Sequence, residues 1–137
     1  MRRSLLRAVV GVTVALVLGA GAGRLAYDIH THFECAATVA VDFNPLLMLI
    51  AQAVTRGEKL HLYEFPIAPY GPEDDAVLRE LAAPEPVREG FRLLLGDALR
   101  PPFPPRSFDT VITPWLIDII SEDLPTLAGR INHLLAD

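Results

Sequence analysis

The chain has 137 residues, of which 51% are hydrophobic and 21% charged, and its formal net charge is -5 at pH 7. These values are typical of a single globular domain and argue against a disordered chain. Because the basic residues are scattered, the composition also disfavours binding to bulk nucleic acid or to an anionic membrane. The single cysteine, Cys35, excludes an internal disulfide, and we expect it to be a small buried residue near a helix end.

The first 23 residues allow two interpretations. Residues 8–23 carry no charge and follow three arginines that lie within the first seven residues. Such a run, ending in Ala20-Gly21-Ala22, is typical of a secretory or twin-arginine export signal. It is equally typical of a buried strand whose backbone turns sharply at glycines. A membrane-spanning helix is disfavoured, because it needs about 20 apolar residues.

The first part of the chain is predicted to alternate strands and helices. Runs rich in valine and leucine favour strands, whereas apolar residues at helical spacing favour helices. Asn44 and Pro45 suit the cap and the first position of a helix. This βαβα order with short connections predicts a parallel sheet with right-handed crossovers. The predicted elements are a strand at 12–18, a helix at 24–33, a strand at 37–41 and a helix at 46–54.

The remaining chain contains an interruption before the pattern resumes. Five prolines within residues 58–90 forbid a long helix or a central strand there, so we interpret this stretch as an insertion. It is predicted to hold at most a short edge strand at 60–65 and a short helix at 74–81. After it we predict strands at 91–95 and 108–113, a stiff proline-rich connector at 101–105, and a last helix from Ser121 or Asp123 to about Leu135. The domain organisation is thus a lead-in at 1–11, a βαβα unit at 12–57, the insertion at 58–90 and the remainder at 91–137.

Three groups of residues follow predicted strands, at the edge where open α/β sheets bind ligands. Gly19, Gly21 and Gly23 follow the first strand, but a dinucleotide fingerprint would need its third glycine where Arg24 stands, which disfavours a nicotinamide cofactor. Asp42 follows the second strand about 20 residues later, where a carboxylate can accept hydrogen bonds from both hydroxyls of a ribose. The alternative for Asp42 is a solvated residue that caps the next helix.

Asp97 follows the third strand, with Ala98 behind it. A side chain at this place can accept a hydrogen bond from an adenine amino group, and an ordinary turn aspartate is the alternative. No metal site is predicted, because His30 and His32 lie on different sides of a helix and no acidic cluster completes them. Hydrolase chemistry has no support, since the sequence has neither a GxSxG motif nor a Cys/His pair.

Three segments of the sequence resemble the class I S-adenosylmethionine-dependent methyltransferases, and more narrowly the carnosine N-methyltransferase-like family. They are residues 17–26, residues 41–48 and, most specifically, residues 107–118, which read SFDTVITPWLID. Many methyltransferases have an acid where this chain has Val17, and the narrower family is similar to this chain in lacking it. The resemblance spans about Val14 to the carboxyl terminus. It implies a Rossmann-like parallel sheet with flanking helices and S-adenosyl-L-methionine as cofactor.

The resemblance also assigns residues. It implies that the cofactor is bound by Gly19, Gly21, Gly23, Arg24, Asp42, Asp97 and Ala98. It further implies that Asp118 contacts the methyl acceptor, an imidazole or another small nitrogen compound, and that Trp115 forms a wall of the acceptor pocket. The alternatives are a surface helix residue for Asp118 and a core aromatic for Trp115. Such an enzyme mainly aligns the methyl group with a neutral nitrogen, so no covalent nucleophile is required.

The family continues with further strands after a helix similar to residues 130–137, and it has a helical segment upstream. We therefore expect a methyltransferase domain that is incomplete at both ends, with a non-catalytic remnant or an exported small protein as alternatives. An incomplete sheet leaves apolar edges and faces, so we expect self-association or a partner chain. A small-molecule substrate and a cytoplasmic location are expected, with export through an N-terminal signal as the alternative location.

Overall fold

The protein alternates strands and helices and inserts one hairpin before the alternation resumes. A computed structural model describes residues 13–68, 71 and 76–137. Its elements in chain order are β1 (Val14–Leu18), α1 (Arg24–His32), β2 (Ala37–Asp42), α2 (Pro45–Thr55), β3 (Leu60–Glu64), β4 (Val77–Leu81), β5 (Phe91–Leu95), β6 (Thr110–Ile112), α3 (Leu116–Ile119) and α4 (Leu124–Leu134).

Four of the strands form one parallel sheet in the order β5-β2-β1-β6. The register pairs Leu18 with Val41 and Asp42 with Leu95, so the carboxyl ends of β1, β2 and β5 lie side by side. Ala15 to Leu18 are buried because β1 has a strand on both sides and helices on both faces. The predicted α/β fold with a parallel sheet is confirmed.

The two faces of the sheet are covered by different helices. Val17 points to the face where Ala26 of α1 packs, and α1 in turn contacts α2. The alternate residues Leu16 and Leu18 point to the opposite face, where they pack with Leu127 of α4. Side chains that alternate along a strand thus form two separate cores, one under α1 and α2 and one under α3 and α4.

The insertion differs from its prediction. A helix was expected at 74–81, but Val77–Leu81 is a strand that pairs antiparallel with β3; residues 74 and 75 lie outside the described part. The hairpin is favoured over the expected helix because strand pairing brings Leu60 opposite Leu81. Both side chains then pack on a buried cluster around Tyr27. Because β3 and β4 form a separate two-stranded sheet, β3 is not an edge of the main sheet.

The other local predictions are mostly confirmed. Asn44 caps α2, its side chain accepting from Leu46 N at 3.0 Å, and Cys35 is buried just after α1. Asp123 is the cap of the last helix, whereas the fourth core strand covers only Thr110–Ile112. The predicted lead-in at 1–11 and Val12 lie outside the described residues. In the part of the chain that the structure describes, no helix is long and apolar enough to cross a membrane.

Candidate functional site

A glycine turn connects β1 to α1. Gly19, Gly21 and Gly23 have φ values of 72°, 55° and 78°, in the left-handed region that favours glycine. Gly23 also permits the close approach of two helices, because an added Cβ would lie 2.7 Å from Ala51 Cβ of α2. Gly21 differs, since nothing lies within 4 Å of the place that its Cβ would take. The turn therefore presents bare backbone to an open space at Gly21.

The carboxylate of Asp42 ties this turn to the end of β2. Its Oδ2 accepts from Gly21 N at 2.8 Å and its Oδ1 from Asn44 N at 2.9 Å, and the residue is 7% exposed. A carboxylate offers about four acceptor positions, so about two remain for a ligand. The cap of α2 is the side chain of Asn44, which argues against the alternative that Asp42 merely caps the helix.

A third acidic residue follows β5. Gly96 N donates to Asp42 O at 2.9 Å, which holds the end of β5 beside the end of β2. Asp97 is exposed, and its Oδ1 accepts from Leu99 N at 2.8 Å, closing the turn. Ala98 is buried in the core behind it. The structure thus brings Asp42 and Asp97 to one edge of the sheet, each on its own strand end.

Phe43 belongs to this edge although the sequence analysis did not single it out. It directly follows Asp42, and 70% of its surface is exposed. A large aromatic side chain that the core does not bury can stack on a flat ring. Its position in the sequence could have identified it, because Phe43 lies between the acidic residue that ends β2 and the helix cap Asn44.

The segment after β6 lies against the glycine turn. Leu116 is buried, and its Cβ would be 3.5 Å from a Cβ added to Gly19. The start of α3 therefore lies next to the backbone of Gly19 in the turn. Trp115 is 73% exposed, so it is not packed in the core, and Asp118 is exposed one turn further on. Trp115 and Asp118, which the sequence analysis predicts to contact a methyl acceptor, are thus exposed on either side of Leu116, which lies against the glycine turn.

The side chain of Arg24 bonds to other groups of the chain. Its Nε donates to Asp28 Oδ1 at 3.0 Å, and its Nη1 donates to the carbonyl oxygen of Ala82 at 2.6 Å. The guanidinium therefore joins α1 to the end of the insertion, and only the backbone of Arg24 takes part in the glycine turn. Arg24 and Ala82 are 58 residues apart in the sequence, so no local motif could have predicted this contact.

The strand order places these groups at a crevice. The chain leaves β1 over one face of the sheet through α1, and it leaves the neighbouring β6 over the other face through α3 and α4. Two connections that part in this way open a crevice beyond the carboxyl ends of the strands, the place where open α/β sheets bind ligands. The glycine turn follows β1 and Trp115 follows β6, so each belongs to one of the two diverging connections.

The opposite end of the sheet holds a second buried polar cluster. His30 is fully buried; its Nε2 lies 3.1 Å from Glu89 O and its Nδ1 2.9 Å from Thr38 Oγ1. Arg88 Nη2 donates at 2.7 Å to the carbonyl oxygens of His30 and Cys35. Burial, followed by the positive charge of Arg88, lowers the pKa of the imidazole. Every polar atom of this imidazole has a partner within the chain.

Comparison with known proteins identifies the fold. No protein-family model and no curated protein matches the sequence. Among solved structures, the YcgJ protein of Bacillus subtilis aligns over 98% of this chain at 18% identity with a TM-score of 0.63. A proposed S-adenosyl-L-methionine-dependent methyltransferase from Methanococcus maripaludis aligns over 99% at 14% identity with a TM-score of 0.64. An S-adenosylmethionine-dependent methyltransferase from Mesorhizobium loti aligns over 97% at 17% identity with a TM-score of 0.56.

The three alignments differ in how much of the other protein they cover. This chain spans 45%, 49% and 48% of the three neighbours, less than half of each. At identities of 14–18% the likeness concerns the fold. It shows that the chain has the Rossmann-like α/β fold of S-adenosylmethionine-dependent methyltransferases, with a parallel sheet and flanking helices.

Proposed function

We propose that this chain binds S-adenosyl-L-methionine and is the cofactor-binding part of a methyltransferase. The observation that carries the proposal is the buried carboxylate of Asp42, which holds the glycine turn through Gly21 N and keeps acceptor capacity. The two adjacent hydroxyls of a ribose can each donate one hydrogen bond to such a carboxylate, and the charge strengthens both. Two solved structures named as methyltransferases of this cofactor share the fold.

The residues around Asp42 fit the rest of this cofactor. The open space at Gly21 allows the backbone to approach the methionine part. Asp97 supplies an acceptor for the adenine amino group, and exposed Phe43 supplies a face on which the adenine can stack. The bound cofactor supplies a methyl group on a positively charged sulfur. The chain's own residues would hold the cofactor at this edge of the sheet, where Trp115 follows the neighbouring strand β6.

The proposed acceptor is an imidazole or another small nitrogen compound. This step rests on the resemblance to the carnosine N-methyltransferase-like family together with the exposed positions of Trp115 and Asp118 beside the glycine turn. Asp118 would accept a hydrogen bond from the N–H of the methyl acceptor and so hold the other ring nitrogen, which carries the lone pair, in a fixed orientation. Trp115 packs on the acceptor ring. Alignment of this kind accounts for most of the rate gain in a direct transfer.

The cofactor proposal is tested by calorimetry with S-adenosylhomocysteine. The wild-type chain is expected to bind, and Asp42→Ala is expected to weaken binding by roughly 1 to 3 kcal/mol, because charge-assisted hydrogen bonds are lost. Asp109→Ala is the matched control, since Asp109 Oδ2 also accepts a backbone bond, from Val14 N at 2.7 Å, but at the opposite end of the sheet. The proposal is wrong if the folded wild-type protein does not bind, or if both variants lose affinity equally.

The acceptor proposal needs a separate measurement. Transfer of a radiolabelled methyl group to an imidazole-containing dipeptide is expected for the wild-type chain and is expected to fall at least tenfold in Asp118→Asn. Calorimetry on the same variant should give unchanged affinity for S-adenosylhomocysteine. Cofactor binding without transfer to any nitrogen acceptor would contradict the acceptor proposal and leave the cofactor proposal intact.

A further inference from the structure

The two ends of the glycine turn are held in different ways. At its beginning, Gly19 N and Ala20 N both donate to Val41 O at 2.9 Å, which fixes this end to the sheet. At its other end the turn continues into α1, whose cap residue is Gly23. Glycine has no side chain that could accept from the first N–H groups of the helix, and the first turn of α1 contains no acidic residue. The start of α1 therefore lacks the local cap that Asn44 provides for α2.

Arg24, the first residue of α1, holds this helix start through its side chain. Its Nη1 donates to Ala82 O at 2.6 Å, and its Nε donates to the two carboxylate oxygens of Asp28 at 3.0 and 3.1 Å. The amino end of a helix is the positive end of its dipole, so a cation there lowers the stability of the helix. The bonds to Ala82 and Asp28 offset this cost and fix the guanidinium group.

Tyr27 makes a second bond between the first turn of α1 and the insertion. It is 4% exposed, and its hydroxyl group donates to Glu85 O at 2.9 Å. The Arg24 guanidinium carbon lies 5.7 Å from the centre of the Tyr27 ring, within the range of a cation–π interaction. Both side chains therefore bond to one short stretch, residues 82–87, which we call the return segment because the chain leaves the hairpin through it.

The return segment is itself fixed to the end of α2, where Val87 N donates to Thr55 O at 2.7 Å. The start of α1 also touches α2 directly, because a Cβ added to Gly23 would lie 2.7 Å from Ala51 Cβ. The return segment, α2 and the start of α1 therefore form one connected unit. A shift of the return segment would consequently be passed on to Gly23, the last glycine of the turn.

We propose that Arg24 is a positioning residue of the glycine turn, through which the insertion raises the affinity for the cofactor. This inference rests on the proposed function, in which the turn binds S-adenosyl-L-methionine. Arg24 acts without touching the cofactor, because its bond to Ala82 keeps the end of the turn in the arrangement that leaves Gly21 open to a ligand. A binding loop that is fixed in advance loses less conformational freedom when the ligand binds, so its affinity is higher.

The test compares two arginines that join the insertion to opposite ends of α1. Arg24→Met keeps most of the apolar stem but removes the donors, and calorimetry is expected to show about fivefold weaker binding of S-adenosylhomocysteine. Arg88→Met is the matched control, since Arg88 Nη2 donates at 2.7 Å to the carbonyl oxygens of His30 and Cys35, where α1 ends. The control should bind as the wild type does, although urea unfolding should show a loss of stability. Arg24→Lys, which keeps one donor for Ala82 O, should recover part of the affinity.

Hydrogen exchange of the free protein tests the inference without the cofactor. Gly21 N donates to Asp42 Oδ2 at 2.8 Å, and in Arg24→Met this amide should exchange about fivefold faster, because the end of the turn is released. Exchange is measured relative to the amide of Leu16, in the centre of β1, which reports global unfolding. On that scale Gly21 should exchange in Arg88→Met as it does in the wild type.

Tyr27→Phe keeps the test decisive if Arg24→Met does not fold, because it removes only the hydroxyl group that bonds to Glu85 O. It should change affinity and exchange in the same direction. Unchanged exchange in a folded Arg24→Met, unchanged affinity for a ligand that the wild type binds, or equal changes in Arg88→Met overturn the inference. If the wild type does not bind S-adenosylhomocysteine although Arg24→Met frees Gly21, the proposed function is wrong and the positioning of the turn by Arg24 stands.

Discussion

Two buried polar side chains at opposite ends of the sheet differ in how fully the chain satisfies them. His30, at the amino end, has one partner for each ring nitrogen, Thr38 and the carbonyl oxygen of Glu89. Asp42, at the carboxyl end, receives two backbone N–H groups but offers about four acceptor positions. The glycines beside these two side chains differ in the same way. Gly21, which bonds to Asp42, faces open space, whereas Gly90, next to His30, is surrounded by protein atoms.

Under the proposed function, this difference separates a structural group, His30, from a binding group, Asp42. A buried polar atom costs free energy unless it is hydrogen-bonded, so a fully paired group such as His30 is explained by the fold alone. The proposed ligand would supply hydrogen-bond donors to the spare acceptor positions of Asp42 beside the open glycine turn. The comparison predicts that changes at the amino end lower stability, whereas changes at the carboxyl end lower affinity.

Substitution of Gly90 by alanine is expected to have the largest effect on stability. Gly90 has a φ of 91°, and an added Cβ would lie 2.3 Å from the carbonyl oxygen of Ala36. Both the left-handed backbone and the collision then oppose folding, by about 2 to 4 kcal/mol together. Urea unfolding followed by circular dichroism measures this loss.

Gly129→Ala is the control for that measurement. Gly129 lies inside α4, and nothing is within 4 Å of the place of its Cβ. Alanine should stabilise the helix by about 0.5 to 1 kcal/mol, because glycine is the poorer helix former. If Gly90→Ala is as stable as Gly129→Ala, the close packing of Gly90 against Ala36 is contradicted.

The pH dependence of stability provides the second prediction. Burial and the neighbouring Arg88 lower the pKa of His30 below its ordinary value of 6.5. As the pH falls below 6.5, the unfolded chain therefore binds a proton before the folded chain does. The free energy of unfolding should fall through this window, by at most about 1.4 kcal/mol per pH unit, until the lowered folded pKa is reached. Urea unfolding at a series of pH values measures the slope.

Two variants assign this slope to His30. His30→Gln keeps a donor and an acceptor but does not titrate, so the fall in stability between neutral pH and the lowered pKa should become smaller. His32→Gln, which removes an exposed imidazole from the same helix, should leave the slope as it is in the wild type. A slope unaffected by His30→Gln would contradict the assignment.

The sequence predicted those features that depend only on neighbouring residues in the chain. The glycines need positive φ values, and Asn44 with Pro45 starts a helix, so the turn and the following helix could be located before the structure. The order of strands then brought Asp42 to the carboxyl edge. What the residues alone did not supply was the bond between Asp42 and Gly21, because it joins groups 21 residues apart.

The features that were mispredicted or missed depend on contacts distant in sequence. Residues 77–81 read as a helix, yet they pair with β3, where Arg79 reaches Glu64 at 2.7 Å. The role of His30 depends on Glu89, which is 59 residues away. Phe43 escaped notice because exposure cannot be read from an aromatic residue next to a strand end. Only in the hairpin does tertiary pairing override local propensity.

Gly21→Ala is expected to lower stability much less than Gly90→Ala does, and it tests the open end of the comparison. The φ of Gly21 is 55°, which costs alanine about 1 kcal/mol, but no atom lies within 4 Å of the new methyl group. The methyl group would project into the space assigned to the cofactor, so affinity for S-adenosylhomocysteine should fall at least tenfold. A tenfold loss of affinity corresponds to about 1.4 kcal/mol, which is more than the expected loss of stability. Gly57→Ala also forces a left-handed alanine, at a φ of 86°, but after the end of α2 against Pro86. Calorimetry should give unchanged affinity for that variant, and an equal loss in both would mean that Gly21 faces no ligand.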